Sequence, residues 1–332
     1  MALFTYRARQ RKFVSKVGLS VCGILTIIWI TQYYFAGDSS GGQWENAPSR
    51  IACLRTVVSL VRSRDPGCAV DIWRKFRTDA LPVIYVITPT YARPVQKAEL
   101  TRLSYTFALV PNLHWIVVED SSQTTSLVKG VLERSGVPYT LLNELTPPEV
   151  KLKPNDPSWV RPRGVAQRNA ALRWLRSHAE GLDLRSVVYF ADDDNTYDVR
   201  LFEEMRWTRT VSVWPVGLVG GLYVERPIVA QNGSVVGWNS VWRPQRPYPI
   251  DMAAFAVSLE LLLRHPDAEF TVRISRGYQE SHLIGQLVSG LGELEPRARN
   301  CTQVLVWHTR TEKPKLKQEA NLKVHSNFGI EV

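Results

Sequence analysis

Three consecutive aspartates, Asp192, Asp193 and Asp194, form the group of residues in this sequence that is best suited to chemistry. They follow the apolar run SVVYFA at 186–191, which is typical of a buried strand. Alternate side chains of an extended chain share one face, so Asp192 and Asp194 are expected to point the same way. Hard divalent cations prefer carboxylate oxygens and accept substrate phosphates as further ligands. The pattern therefore predicts a metal-assisted site for a nucleotide diphosphate.

Two other local structures could contain this acidic triplet. Carboxylates about 4 Å apart repel by about 4 kcal/mol at an effective dielectric constant of 20, so a cation or solvent must relieve them. A calcium-binding loop needs glycine at its sixth position, where this sequence has Tyr197, and is excluded on that test. A solvated turn after the strand stays open.

Two arginines, Arg163 and Arg168, flank the start of a helix predicted over 164–178. A helix N-terminus favours anions, and a guanidinium adds a planar fork for phosphate or carboxylate. The sequence contains neither of the common glycine-rich phosphate loops, so phosphate would bind through a metal and arginines. The alternative is that both arginines are ordinary surface charges.

Strand and helix patterns place these residues at one edge of a sheet. Continuous apolar runs predict buried strands at 83–88, 114–120 and 186–191, and Pro89 is expected to end the first. A helix is predicted over 94–107 as well as over 164–178. This alternation predicts an α/β fold with a largely parallel sheet, whose ligands bind beyond the carboxyl ends of the strands.

Composition and charge narrow the class of protein. Of 332 residues, 45% are hydrophobic and 22% charged, which excludes a disordered or fibrous chain. The net charge is +10, but five basic residues without an acid occupy the first sixteen positions. The remaining mild excess fits an anionic small molecule and predicts no nucleic-acid partner. Four cysteines without a C-x-x-C pair exclude a zinc ribbon.

The N-terminal region predicts a membrane anchor. Residues 17–35 carry no charge and can cross a hydrocarbon core of about 30 Å as a helix. The preceding basic flank keeps residues 1–16 cytosolic. We therefore predict a transmembrane signal-anchor at 17–37, a stem at 38–80 and a lumenal catalytic domain at 81–332. A cleaved signal peptide is the alternative. Cys53 and Cys68 in the stem either pair with each other, link two chains or stay free.

Long segments of the chain resemble one family of enzymes. PTYARPVQKAEL (89–100), WIVVEDS (115–121), RPRGVAQRN (161–169), VVYFADDDNTYD (187–198), GYQES (277–281) and VLVWHTRTEKP (304–314) closely resemble the animal β-1,3-glucuronyltransferases. The resemblance extends over 81–317. It implies a GT-A-type nucleotide-sugar-binding fold, Mn²⁺, UDP-glucuronic acid as donor, an inverting displacement, a homodimer and a type II topology in the Golgi membrane. Residues 81–198 would bind the donor and residues 199–332 the acceptor.

The same resemblance assigns a role to each donor-site residue. Asp194 would be the direct manganese ligand, and Asp192 and Asp193 would line the donor through hydrogen bonds. The full donor-binding set is Pro89, Thr90, Tyr91, Asp120, Arg163, Arg168, Asp192, Asp193, Asp194, His308, Thr309 and Arg310. Taken without this context, His308 is an ordinary histidine at the end of a strand.

Glu280 is predicted to be the catalytic base. An inverting transfer needs the acceptor hydroxyl to lose its proton as it attacks, and a carboxylate in hydrogen-bond reach accelerates that step by about 10² to 10⁴. Without the resemblance, Glu280 is an acidic residue at a helix start. The acceptor-binding set implied by the resemblance is Glu225, Trp242, Arg246, Asp251 and Gln318.

Two questions about the acceptor and the class of protein stay open. Trp242 and Gln318 favour the branch of the family that adds glucuronate to a galactose-terminated linker glycan on a core protein. The GYQES segment is more similar to the branch that acts on N-acetyllactosamine. A sugar-binding module without catalysis and another metal-dependent nucleotidyl enzyme are the alternatives from other classes. Asn232 and Asn300 begin glycosylation sequons.

Overall fold

The computed structural model describes residues 81–151, 156 and 161–332. The predicted cytosolic tail, signal-anchor and stem, with Cys53 and Cys68, lie outside the described residues. Within the described part of the chain, no helix is both long and apolar enough to span a membrane.

Twelve strands and several short helices make up the described residues. The strands are β1 Ile84–Thr90, β2 Leu113–Glu119, β3 Tyr139–Asn143, β4 Val187–Phe190, β5 Thr196–Tyr197, β6 Val211–Val213, β7 Val216–Gly217, β8 Val224–Val229, β9 Val235–Asn239, β10 Phe255–Ser258, β11 Leu294–Pro296 and β12 Val306–Trp307. The helices are α1 Gln96–Ala108, α2 Ser126–Ser135, α3 Val165–Ser177, α4 Arg200–Met205, α5 Leu259–Arg264 and α6 Gln279–Gly285. Ala298–Cys301 form a left-handed turn with φ between 53° and 59°.

A seven-stranded sheet of order β11-β6-β10-β4-β1-β2-β3 carries the candidate site. Strands β1 to β4 pair in parallel, and β10 is antiparallel to both β4 and β6. The predicted α/β fold and largely parallel sheet are therefore confirmed, with β10 making the sheet mixed. The sheet combines strands from both sides of residue 198, and the carboxyl ends of β1, β2 and β4 meet at one edge.

Pro89 does not end the first strand, contrary to the sequence prediction. Strand β1 continues to Thr90, which pairs with Glu119 of β2. Pro89 has no N–H, but it faces the side of β1 where β4 pairs only as far as Ile87. No ladder hydrogen bond from β4 is required at this position, so proline is tolerated.

The core lies between the sheet and its covering helices. Continuous apolar sequences make the central strands buried on both faces, as in β4, where all four residues are buried. Phe107 of α1 makes edge-to-face contacts with Trp115 of β2 and Phe202 of α4. The Trp115 indole donates to Thr88 Oγ1 at 2.9 Å, so these two buried polar groups satisfy each other.

A second, smaller sheet of order β5-β12-β7-β8-β9 follows the triplet along the chain. Its strands β5, β7 and β12 have two residues each. Strand β12 brings His308 and the residues after it next to the acidic triplet, because it pairs with β5 directly after that triplet.

Candidate active site

A cavity of about 450 Å³ opens at the carboxyl ends of β1, β2 and β4. It is lined by Pro89, Thr90, Tyr91, Arg93, Asp120, Thr146, Val150, Lys151, Arg161, Pro162, Arg163, Gly164, Gln167, Arg168, Asp192, Asp193 and Asp194. Nine of the twelve residues predicted to bind a donor line this cavity. A volume of this size suits a small-molecule ligand.

The three aspartates have different partners. Asp192 accepts a hydrogen bond from Arg168 at 2.5 Å. Asp193 is 7% exposed, accepts from Thr90 at 2.7 Å and forms an ion pair with Arg93 at 2.6 Å. No described residue donates a hydrogen bond to the Asp194 carboxylate. The triplet forms a turn after β4, but Asp193 in this turn is buried and paired with Arg93 rather than solvated. All three aspartates line one cavity, and the expected alternation of faces along an extended chain does not apply in a turn.

Asp194 has the electrostatic environment of a cation ligand. Burial, followed by the neighbouring carboxylates of Asp192 and Asp193, raises the pKa of Asp194 to about 6. A bound divalent cation would stabilise its ionised form. Carboxylate oxygens suit Mg²⁺ or Mn²⁺, which commonly take phosphate oxygens as further ligands. Among the described residues, no three His, Cys, Asp or Glu side chains are placed to hold one metal ion together, so a metal on Asp194 would take further ligands from the diphosphate.

Tyr91 and Asp120 lie where β1 and β2 end. Tyr91 is 43% exposed, which leaves part of its ring available for stacking. The Asp120 carboxylate accepts from the backbone N–H of Thr146 at 2.8 Å and from its hydroxyl at 2.9 Å. Thr146 in turn accepts from the Gln167 amide at 3.1 Å. Asp120 is therefore fixed in place, with lone pairs left for a ligand.

Arg168 connects helix α3 with the triplet. Glycine at position 164, the N-cap with φ +74°, leaves room for the Arg168 side chain, because a Cβ there would lie 2.7 Å from Nη1 of Arg168. The same nitrogen donates to the Arg163 carbonyl at 2.9 Å. Arg168 is buried, whereas Arg163 is exposed at the cavity rim. The predicted pair is thus one buried, hydrogen-bonded guanidinium and one exposed arginine at the cavity.

Glu280, in the first turn of α6, has the properties expected of a base. Its Oε2 is enclosed and has no hydrogen-bond partner among the described residues. Burial, together with the Asp251 carboxylate, raises the pKa of Glu280 to about 7, against the opposing charges of Arg246 and Arg168. A carboxylate with a pKa near neutrality can both accept and release a proton. The charge of Arg168, which is hydrogen-bonded to Asp192, thus also acts on Glu280.

Four of the five predicted acceptor residues lie together. Arg246 is buried, and the carboxylates of Glu225, Asp251 and Glu280 favour its positive charge. Its guanidinium lies 4.9 Å from the centre of the Trp242 ring. Glu225 is 5% exposed and accepts from Ser240 at 2.9 Å, and burial raises its pKa.

Trp242 lies against Gly277, whereas Gln318 lies in the C-terminal segment. Gly277 has φ +77°, and a Cβ there would lie 1.9 Å from Cη2 of Trp242, so only glycine leaves room for this indole. Gln318 is exposed in the C-terminal segment, where it accepts from Asn321 at 3.3 Å. No hydrogen bond between described residues joins Gln318 to the other four.

The segment after β12 contacts both the donor-binding set and the acceptor-binding set. His308 Nδ1 lies 3.4 Å from Asp251 Oδ2, and this neighbouring carboxylate raises the pKa of His308. Thr309 donates to the Asp194 carbonyl at 2.7 Å. Arg310 is exposed, and its positive charge opposes the rise in the pKa of His308.

Sequence reasoning missed several residues of this site. Arg93, Thr146, Arg161 and Gln167 all line the cavity. The polar segment after β1 gave a signal for Arg93, and Arg161 belongs to the RPRGVAQRN segment. Thr146 had no signal, because it reaches Asp120 only through the pairing of β2 with β3.

The two sequons lie in turns. Asn232 is exposed between β8 and β9. Asn300 is exposed in the left-handed turn, although the adjacent Cys301 is buried.

Comparison with known proteins gives consistent results. The model of glycosyltransferase family 43 matches residues 103–312. The galactosylgalactosylxylosylprotein 3-beta-glucuronosyltransferase 3 of Mus musculus is 59% identical over 254 residues, which cover 74% of this chain and 75% of the relative. The corresponding Homo sapiens protein is 58% identical with the same coverage. The Drosophila melanogaster galactosylgalactosylxylosylprotein 3-beta-glucuronosyltransferase I is 56% identical, covering 76% and 85%.

Solved structures are more distant. Staphylococcus aureus TarS in complex with UDP-GlcNAc is 16% identical, with a TM-score of 0.44 over 70% of this chain and 60% of that one. This similarity is too low to transfer a ligand. The family model matches more than half of the chain, and three relatives are more than 50% identical to it. The chain therefore belongs to glycosyltransferase family 43.

Proposed function

We propose that the protein transfers glucuronic acid from UDP-glucuronic acid to the 3-hydroxyl of a terminal galactose, completing the linker glycan on proteoglycan core proteins. The observation that carries the proposal is the environment of Glu280. Its Oε2 is enclosed and unpaired among the described residues, and the Arg168 that acts on its charge also holds the first aspartate of the donor cavity.

The donor fits the cavity by charge and shape. Tyr91 would stack on uracil, and Asp120 would accept from the base or ribose. Arg163, Arg168, His308 and Arg310 would face the diphosphate and the glucuronate. Asp194 would hold Mn²⁺, which when bound neutralises charge on the diphosphate. Support for the metal comes from the unpaired carboxylate of Asp194 and its raised pKa.

The reaction is a single displacement at the anomeric carbon. Glu280 takes the proton of the acceptor hydroxyl while that oxygen forms the new bond to the anomeric carbon. The bond from this carbon to the diphosphate oxygen breaks, and its electron pair leaves with UDP. Arg168 stabilises the charge that develops on the leaving group, because a fixed guanidinium needs no rearrangement at that moment. Attack from the opposite face inverts the configuration.

The linker acceptor is supported by the names of the relatives. The mouse, human and fly proteins are named for a galactosylgalactosylxylosylprotein acceptor. Glu225, Arg246 and Asp251 supply hydrogen-bonding groups for sugar hydroxyls next to Glu280. Trp242 would contact the apolar face of a sugar. Gln318 would act in the site of a partner subunit, as part of a homodimer.

The location of the protein is a proposal from its sequence. Residues 17–37 would anchor it in the Golgi membrane with a type II topology, and residues 38–80 would hold the catalytic domain in the lumen. Asn232 and Asn300 would then be available for glycosylation.

An acceptor screen tests the proposed function. UDP-glucuronic acid, Mn²⁺ and the full chain are incubated with galactose-β-1,3-galactose-xylose or with N-acetyllactosamine, and the products are analysed by mass and linkage. We expect a β-1,3-linked glucuronate on the first acceptor. Exclusive use of N-acetyllactosamine would refute the linker assignment. Hydrolysis of the donor without acceptor-dependent product, or sugar binding without turnover, would refute transfer itself.

A further inference from the structure

Arg93 contacts two other residues that line the donor cavity, Tyr91 and Asp193. Its Cζ lies 4.5 Å from the centre of the Tyr91 ring, and its Nη1 donates to the Tyr91 carbonyl at 3.0 Å. Its Nη2 lies 2.6 Å from Asp193 Oδ1 and also pairs with Glu99. One guanidinium therefore touches the aromatic ring proposed for the base and a carboxylate predicted to line the donor. From these contacts we infer that Arg93 is a positioning residue that couples Tyr91 to Asp193, with Glu99 as its anchor.

Glu99 fixes the guanidinium from behind. It lies in the first turn of α1, is 2% exposed, and pairs with an Arg93 side chain that is itself 13% exposed. A buried ion pair restricts the rotamers of a side chain that would otherwise sample many conformations. Arg93 is therefore held by the scaffold rather than by the ligand, as a positioning group must be.

Asp193 is held on both oxygens. Arg93 contacts Oδ1, and the Thr90 hydroxyl donates to Oδ2 at 2.7 Å. The Gln96 amide donates to the same Thr90 hydroxyl at 3.2 Å. Because Arg93 neutralises Asp193 while Arg168 neutralises Asp192, the Asp194 carboxylate is left for the cation. Removal of Arg93 would leave two buried carboxylates, Glu99 and Asp193, without their shared cation.

Tyr91 is constrained by the same side chain. The guanidinium covers one face of the ring, and a cation in this position is attracted by about 0.5 to 1 kcal/mol. The other face is left for a stacking base. The inference rests on the proposed nucleotide-sugar donor, but it assigns a role to a residue that would not itself touch the reacting atoms.

Calorimetry on the full chain with Mn²⁺ tests the coupling. UDP and uridine are titrated into the wild type, Arg93→Met, Arg93→Lys, Glu99→Gln, Asp193→Asn and the double variant Arg93→Met/Asp193→Asn. Arg134→Met, which removes an exposed arginine of α2, is the matched control. We expect Arg93→Met to weaken UDP at least tenfold and uridine at least threefold, with partial rescue in Arg93→Lys. The loss of UDP affinity in the double variant should be smaller than the product of the losses in Arg93→Met and Asp193→Asn.

The outcomes separate this inference from the proposed function. UDP and uridine affinities within twofold of the wild type in Arg93→Met would overturn it, as would losses that multiply in the double variant. If Arg93→Met does not fold, Arg93→Lys and Glu99→Gln are used instead. If these variants fold and bind UDP with unchanged affinity, Arg93 has only a structural role and the inference is overturned. Failure of the wild type to bind UDP would instead refute the proposed function. In turnover assays the expected signature is a KM for the donor raised at least tenfold, with kcat changed less than threefold.

Discussion

His308 Nδ1 lies 3.4 Å from Asp251 Oδ2, so a residue predicted for the donor site pairs with a residue predicted for the acceptor site. The adjacent Asp251 carboxylate raises the pKa of His308 above its ordinary value of about 6.5. The imidazole thus keeps its proton to a higher pH, where it can attract a diphosphate. The pair stabilises the fold while Asp251 is ionised and His308 is protonated. The contribution of His308 is fully present below its ordinary pKa and is lost as pH rises through the raised pKa.

Asp251→Asn is expected to lower the pKa of His308. NMR titration of the histidine ring protons measures this directly. Because neutral His308 attracts a diphosphate less, UDP affinity should fall several-fold at pH 7 and change less at pH 5.5. Asp267→Asn, at an exposed aspartate, is the control. An unchanged His308 titration would contradict the pairing.

Glu280→Gln is expected to abolish transfer while UDP still binds. In the wild type, kcat/KM should rise with pH up to about 7 and then level off, since the base acts in its ionised form. The variant should lose at least 10² in kcat and lose this pH dependence.

The same variant should be more stable at neutral pH. A carboxylate whose pKa is raised on folding binds more protons in the folded state, so the free energy of unfolding falls as pH rises from about 4.5 to about 7. Removing the charge should raise Tm by about 2 to 6 °C at pH 8. Glu133→Gln, on the exposed face of α2, should change neither quantity. Turnover like that of the wild type in Glu280→Gln would remove Glu280 from the role of base.

Gly277→Ala is expected to damage the acceptor site selectively. The added Cβ would meet Trp242 at 1.9 Å, and the backbone at φ +77° disfavours alanine. We expect the acceptor KM to rise about tenfold, with UDP affinity within twofold of the wild type. Gly290→Ala is the matched control, because a Cβ there has open space and an extended backbone. An equal effect on UDP affinity would argue against a local acceptor role for Trp242.

Arg206 is expected to be structural. It is fully buried and donates to the carbonyls of Pro82 at 2.9 Å and Pro111 at 2.8 Å. Arg206→Met leaves these acceptors unpaired and should lower the free energy of unfolding by about 2 to 4 kcal/mol. Urea denaturation measures the loss, and exposed Arg209→Met is the control. The donor KM of Arg206→Met should stay unchanged. A free energy of unfolding equal to that of the wild type would contradict the structural role.

The elements that hold the site were predictable where the sequence pattern is local. Buried strands β1, β2 and β4 appear as continuous apolar runs, and polar residues at their ends converge because parallel strands share an edge. Register and long-range packing are not local. The reach of Thr146 to Asp120 and the two-residue strands β5, β7 and β12 depend on the completed sheets. Pro89 was misread because its tolerance depends on where a neighbouring strand stops.

Titration of UDP into the wild type and Asp194→Asn, each with and without Mn²⁺, tests the central claim most directly. Asp183→Asn, at a surface aspartate paired with Arg185, is the control. Mn²⁺ should raise UDP affinity at least tenfold in the wild type and in the control, and by less than twofold in Asp194→Asn. An equal gain in Asp194→Asn, or no effect of any divalent cation on the wild type, would contradict a donor site built on the acidic triplet.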